Sequence, residues 1–278
     1  MATIQSLAGK VAIVTGGGTG LGAAVSQGLA ERGAKLVINY SRSRDAAETT
    51  VAALRDAGAE AIAVQGDVGI DADCQQIVAA AIEQWGRVDI LINNAAATRM
   101  ASHDDLEGLQ AEDFLDVYRT NVVGAYQMVR ACHPHMKAQG YGAVVNISSV
   151  GSFLGTGSSV AYAASKGALN TMTMSLARAL GPEIRVNAVC PGFIATRWFT
   201  DLLGQEGLDE IIARQEVMTP LQRAGRPKDI AVAVLFLADE GAEHITGTTL
   251  LSDAGFHLGQ KAKPLPRGGR GGGEGAKS

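Results

Sequence analysis

A single doubly wound parallel α/β sheet with helices on both faces and a small substrate lid is the fold this sequence predicts, and three observations predict it. Short β-branched or apolar runs, each bounded by glycine or polar residues, alternate with stretches of helical length. The runs read apolar throughout instead of alternating, the pattern of strands covered on both faces. A glycine-rich turn follows the first run and opens the first helical stretch, where such sheets receive a ligand.

Taken in chain order, strands are expected at residues 11–15, 36–40, 61–65, 90–93, 143–148, 185–190 and 249–252. Helices are expected near 21–32, 46–57, 73–85, 112–137, 161–180 and 227–238. Two segments break the rhythm. Residues 196–226 carry apolar side chains with no strand pattern (Trp198, Phe199, Ile211, Ile212 and Met218 among them). Their place after the sixth strand, above the carboxyl edge, is that of a lid. Residues 260–278 are Gly-rich, basic and nearly devoid of apolar side chains. They cannot bury enough surface to offset chain entropy and are expected to be a disordered tail behind one domain at 1–259.

Composition narrows the function class. Of the 278 residues 46% are hydrophobic and 19% charged, with no apolar run of about 20 residues, so no membrane role is expected. Residues 1–10 hold no apolar stretch of signal-peptide length, and a cytoplasmic location is expected. Cys74, Cys132 and Cys190 stand singly, without CxxC spacing or paired histidines, which speaks against a disulfide framework or a metal site. The net charge is −4, yet residues 261–278 carry five basic residues and one acid, leaving about −8 on the preceding body. An acidic body does not suit a nucleic-acid enzyme. The tail's Arg267 and Arg270 among glycines have no interleaved aromatics, too thin a pattern for RNA binding.

The turn Thr15-Gly16-Gly17-Gly18-Thr19-Gly20-Leu21-Gly22 lets the backbone bend tightly and approach a pyrophosphate, whose charge meets free N–H groups and the positive end of the following helix. Its TGxxxGxG spacing resembles the cofactor turn of the short-chain dehydrogenases/reductases, a Rossmann-fold family. Other stretches are similar to that family in the same order. Asp67-Val68 resembles its adenine-contacting pair and Asn93-Asn94-Ala95 its NNAG segment, with Ala96 standing where the family has glycine. Pro191-Gly192 with Thr196 resembles its PGxxxT stretch, in which backbone around Ile194 meets the carboxamide. The resemblance spans residues 7–258 and is shared about equally with 3-oxoacyl-carrier-protein reductases and glucose-dehydrogenase-type members. It implies a nicotinamide cofactor bound by Gly16, Gly18, Thr19, Gly20, Leu21, Gly22, Asp67, Val68, Asn94, Tyr162, Lys166, Pro191, Gly192, Ile194 and Thr196, with Lys166 holding the nicotinamide ribose hydroxyls, and a homotetramer built on the two long helices and the C-terminal strand.

Sheets of this kind that prefer NAD place an acidic residue at the end of the second strand for the ribose 2′-hydroxyl. Here that position is Tyr40, followed by Ser41 and Arg42. With no carboxylate to repel a 2′-phosphate, and a hydroxyl and a guanidinium to bind one, NADP(H) is favoured and NAD(H) is the alternative. Arg44 reads as solvating the start of the next helix.

Tyr162 and Lys166 are four residues apart in a helical stretch, on one face about a turn apart. A free tyrosine has a pKa of about 10, and a neighbouring ammonium favours its phenolate, so the pair can exchange a proton near neutrality. Ser149 ends the fifth strand run thirteen residues before Tyr162, the family's interval for a catalytic serine. Its hydroxyl suits a developing charge on a substrate oxygen, whereas strand alternation sends Ser148 to the opposite face. Asn121, an unfavourable residue inside a helix, resembles the family's fourth catalytic residue, which holds a water linking the lysine to solvent. The expected activity is therefore interconversion of a small-molecule carbonyl compound and its alcohol by hydride transfer. A rival class, a catalytically silent nicotinamide-binding sensor or scaffold, has no use for Ser149 or Asn121.

Overall fold

The computed structural model describes residues 6–259; the expected tail at 260–278 lies outside them. Seven strands form one sheet: β1 (Val11–Val14), β2 (Lys35–Tyr40), β3 (Ala61–Gln65), β4 (Ile90–Asn93), β5 (Gly142–Ile147), β6 (Ile184–Pro191) and β7 (Thr249–Ser252). Every pairing is parallel, in the order β3-β2-β1-β4-β5-β6-β7. The chain runs outward from β1 through β2 to β3 and then crosses back to β4 on the other side of β1, and this reversal opens a crevice at the carboxyl ends of β1 and β4.

The apolar strand runs are explained by two cores, one on each face. Within β1, Ala12 and Val14 pack with Leu21, Val25 and Leu29 of α1 (Gly20–Glu31) and with Ile230 and Val234 of α9 (Pro227–Ala238). Val11 and Ile13 face the other way, toward Cys74, Ile77 and Val78 of α3 (Asp71–Trp85) and Met128 and Cys132 of α5 (Ala125–Ala138). Each fully buried side chain of this size contributes about 1.5–3 kcal/mol of transfer free energy, so neither face of the sheet tolerates a polar slip in register. α2 (Arg44–Asp56) and α7 (Val160–Leu180) complete the two layers.

One expectation needs correction. The helix expected at 112–137 is broken: α4 (Ala111–Tyr118) passes into a π-helical turn, Arg119–Gly124, before α5 begins. A 3.6-residue periodicity cannot reveal one residue of extra winding. The segment 196–226 contains a helix, α8 (Arg197–Met218), broken at Gly204 with φ 73° and ψ 175°. Its flanks are pinned together, because Ile194 bridges Gly225 and the Ala195 N–H donates to the Gly225 carbonyl at 2.9 Å. No described helix is long and apolar enough to cross a membrane.

Candidate active site

The crevice between β1 and β4 is built from main chain and missing side chains. After β1, the Thr15 hydroxyl accepts from the N–H groups of Asn94 (2.9 Å) and Ala95 (3.0 Å) and donates to the Ile92 carbonyl (3.3 Å). The Asn94 amide returns two bonds, to the carbonyls of Thr15 (2.9 Å) and Gly16 (3.1 Å). Loops from two strands are thereby locked into one surface. Gly16 takes a left-handed φ of 61°, and a side chain on Gly22 would collide with the Gly16 carbonyl and stand 2.7 Å from Asn94 Nδ2. The glycines at 16 and 22 are what allow this packing.

The other predicted cofactor residues fall around this surface with different tasks. Gly18 closes on α2, where an added Cβ would stand 2.7 Å from the Ala47 backbone, and the Leu21 side chain enters the core. Thr19 and Gly20 are exposed at the amino end of α1, whose first turn has no acidic residue. Across the crevice, Thr196 brings its methyl to within 3.7 Å of where a Gly20 Cβ would lie. Gly192, after β6, fits against Asp253, which an added Cβ would approach to 2.8 Å. Pro191 and Ile194 are tied in by the Pro191 carbonyl, which accepts from the Val150 N–H at 2.8 Å, and by the Gly225 bridge.

At the far side of β2, Tyr40 is buried in the core while Ser41 and Arg42 are exposed. Gln65 steadies that end by donating to the Ser41 carbonyl at 3.2 Å. Asp67 is occupied locally, its carboxylate accepting from the Gly69 N–H at 2.8 Å. The Val68 carbonyl accepts from Gln127 at 2.8 Å, and Gly124 packs closely on Val68. The π-turn is thus seated on the loop after β3.

Beyond β5 the surface changes character and becomes a cluster of side chains. Ser149 stands close enough to Tyr162 for its hydroxyl to act on the phenol, and the Lys166 ammonium lies 5.6 Å from the centre of the Tyr162 ring. Lys166 is buried, donating to the Ile147 carbonyl at 2.8 Å, and burial lowers its pKa to about 8. Burial pushes the Tyr162 phenol above its ordinary value, and the neighbouring Ser149 hydroxyl pulls it back. This differs from the sequence expectation: in the protein alone it is the serine, not the ammonium, that favours the phenolate. Ser148 is turned away, donating to the Lys166 carbonyl at 3.1 Å.

Asn121 reaches the same cluster from the π-turn. Its Oδ1 accepts from the Ala97 N–H at 2.8 Å, and its Nδ2 donates to the Ala97 carbonyl (3.0 Å) and to the Ser165 hydroxyl (2.9 Å). Ser165 in turn donates to the Tyr162 carbonyl at 2.7 Å. Ser165 was not among the predicted site residues, nor was Ser159, whose hydroxyl caps α7 by accepting from the Tyr162 N–H at 3.2 Å. A serine just before a helical run was the one signal available for Ser159; Ser165 had none. The rings of Phe193 and Phe199 pack at 4.8 Å, while Phe153 and Leu154 are half exposed. Among the described residues no group of three or more His, Cys, Asp or Glu is gathered in metal-binding fashion.

Residues 16–257 match the family model described as enoyl-(acyl carrier protein) reductase. The chain is 42% identical to a Streptomyces violaceoruber protein named for a ketoacyl reductase of the granaticin polyketide synthase, over 89% of this chain and 96% of the relative. It is 37% identical to an L-rhamnose 1-dehydrogenase (NAD(P)(+)) of a Sphingomonas species, over 92% and 99%. It is also 33% identical to the 3-oxoacyl-[acyl-carrier-protein] reductase FabG of Staphylococcus epidermidis, over 90% and 99%. A crystal structure of a short-chain dehydrogenase/reductase from Burkholderia xenovorans superposes with a TM-score of 0.82 at 40% identity, covering 90% of this chain and 98% of that one.

Proposed function

This chain belongs to the short-chain dehydrogenase/reductase family and is an oxidoreductase, and from that premise we propose that it interconverts an apolar carbonyl compound and its alcohol with NADP(H), using Tyr162, Lys166, Ser149 and Asn121. The single observation that carries this reading is the convergence of Ser149, Tyr162 and a buried Lys166 beside the glycine crevice.

The crevice residues fit a dinucleotide. A side chain at Gly22 would collide with the Gly16 carbonyl and push the turn out of shape, and the exposed amino end of α1 at Thr19 and Gly20 offers main-chain donors to a pyrophosphate. Gly16, Gly18, Leu21, Asn94, Asp67, Val68, Pro191, Gly192, Ile194 and Thr196 complete that cradle, through backbone groups where their side chains are already engaged. Ser41 and Arg42 would receive a 2′-phosphate, which favours NADP(H) over NAD(H). When bound, the cofactor supplies or accepts the hydride.

The remaining work belongs to side chains of this protein. Tyr162 gives a proton to the substrate oxygen in reduction and takes it back in oxidation. One lone pair of the Ser149 oxygen is held by the Gly151 N–H at 3.1 Å, leaving its hydroxyl proton to stabilise charge on that oxygen. Lys166, once its neighbourhood is polar, holds the ammonium that favours the phenolate. Asn121 acts from the π-turn as the link between this cluster and solvent. Residues 196–226 serve as the lid, and the Phe193 and Phe199 pair favours an apolar substrate over a sugar. Exposed Leu115, Tyr126 and Met174 on α4, α5 and α7, with Val232, Phe236 and Leu250 on α9 and β7, are the apolar side chains on which copies would assemble into a tetramer.

A panel of 3-oxoacyl thioesters, polycyclic ketones and aldoses, each run with NADPH and with NADH and followed at the reduced-nicotinamide absorbance, tests the reading. Turnover of a ketone with NADPH is expected. Cofactor binding with no turnover across the panel would return the protein to the sensor class. Size-exclusion chromatography with light scattering tests the tetramer.

A further inference from the structure

Ser149 lies two residues beyond the end of β5, at the entry to a short helical turn. The helix that follows, α6 (Gly151–Leu154), is four residues long, and two of its side chains, Phe153 and Leu154, are 51% and 40% exposed. A single turn with exposed apolar groups has neither the length nor the burial to fix itself. Something else fixes it.

A directed chain of hydrogen bonds runs up to Ser149 from behind. The Cys190 thiol of β6, wholly buried, points to the Asn170 Oδ1 of α7 at 3.7 Å. The Asn170 amide, also buried, donates through Nδ2 to the Ser152 hydroxyl at 2.7 Å. The Ser152 hydroxyl donates to the Ser149 carbonyl at 2.5 Å, and the Ser152 N–H reaches the same carbonyl at 3.1 Å. The polarity is self-consistent: Ser152 has one hydroxyl proton, spent on Ser149, so Asn170 must present its NH2 to it and its oxygen to the thiol. On the other side of the peptide, Gly151 donates to Ser149 Oγ, and a side chain there would collide with the Thr156 carbonyl.

We infer that Ser152 and Asn170 are positioning residues for Ser149, clamping its peptide to β6 and α7 so that the Ser149 hydroxyl stays aimed at Tyr162. This rests on the proposed role of Ser149. A displacement of about 1 Å in a group of this kind costs on the order of 100-fold in rate.

The test is a kinetic cycle on the full chain with NADPH and a ketone that turns over. Ser152→Ala is expected to lower kcat about 10- to 100-fold, with KM and the NADPH Kd within about twofold of the parent, and Ser152→Thr, which keeps the hydroxyl, to restore most of it. Asn170→Ala, which breaks the chain one link earlier, is expected to reproduce the loss and serves if Ser152→Ala does not fold. In a Ser149→Ala background neither change is expected to lower kcat further. Losses that multiply in that background, or an unrescued Ser152→Thr, overturn the inference while leaving Ser149 in its role. Full turnover by Ser149→Ala alone overturns both.

Discussion

The two halves of the sheet's carboxyl edge are built from different materials. Between β1 and β4 the surface is main chain: Gly16 and Gly22 remove bulk, and the Thr15 hydroxyl and Asn94 amide spend themselves on bracing carbonyls and N–H groups of neighbouring loops. Beyond β5 the surface is side chain: Ser149, Tyr162, Lys166 and Asn121 present functional groups, each supported by partners on other elements. A cradle for a polyanion needs many donors at close approach, which the backbone supplies once side chains are absent. A site that moves a proton needs a few groups with adjusted acidity, which burial and neighbours supply. The comparison teaches that the first half should fail through binding and the second through turnover.

The largest expected effect tests that division directly. Tyr162→Phe is expected to lower kcat by about 1,000-fold with the NADPH Kd unchanged, since a positioned acid or base contributes roughly 10²–10⁴; stopped-flow turnover and fluorescence titration read the two quantities. Substantial residual turnover sinks the proton-transfer role.

Lys166 breaks the comparison from the side of stability. Burial lowers its pKa from 10.5 to about 8, so between those values the unfolded chain binds more protons than the folded one. The group therefore destabilises the cofactor-free protein at neutral pH, and that penalty fades as pH rises from 8 to 10.5. Relative to Lys166→Met, the wild-type protein should gain on the order of 3 kcal/mol across that window, read by urea unfolding at several pH values. A difference independent of pH sinks the buried cation.

Gly22→Ala probes the other half. The added methyl meets the Gly16 carbonyl and the Asn94 amide, a steric conflict of roughly 1–3 kcal/mol. A rise of about tenfold or more in NADPH Kd is expected, with kcat at saturating cofactor largely kept. A collapse of kcat at saturation instead erases the proposed separation of the halves. The smallest effect is a matter of selectivity: Arg42→Ala should raise the NADPH Kd about tenfold, the worth of one charge-assisted hydrogen bond, and leave NADH binding as it was. Equal weakening of both cofactors removes Arg42 from the 2′-phosphate.

The seven strands were legible in the sequence because a strand buried on both faces writes a continuous apolar run, and all seven lie within a residue or so of where those runs put them. The glycine turn after β1 was legible for a similar reason, since close packing at Gly22 and the left-handed φ of Gly16 favour a single residue type. Less of the chemical half could be read. Tyr162 and Lys166 share a helix and therefore a spacing, but Ser165 and Ser152 act through bonds to Asn121 and Asn170, 44 and 18 positions away, that no local pattern encodes. The broken helix around Asn121 and the helix α8 were also hidden, the first because a π-turn barely disturbs periodicity and the second because its apolar residues follow no single face.

What the sequence by itself determined is the layered sheet, the glycine turn at its first strand and the helical pairing of Tyr162 with Lys166, because each follows from sterics or spacing within one short stretch of chain. What only the tertiary structure decided is the acidity and aim of those groups. The pKa of Lys166 depends on burial beneath β5, and that of Tyr162 on burial first and then on a serine delivered from another element. The orientation of Ser149 rests on a chain of bonds that ends at Cys190, on β6. Desolvation and hydrogen-bond direction are properties of the assembled surroundings, and residues far apart in sequence set them only once the sheet has brought them together.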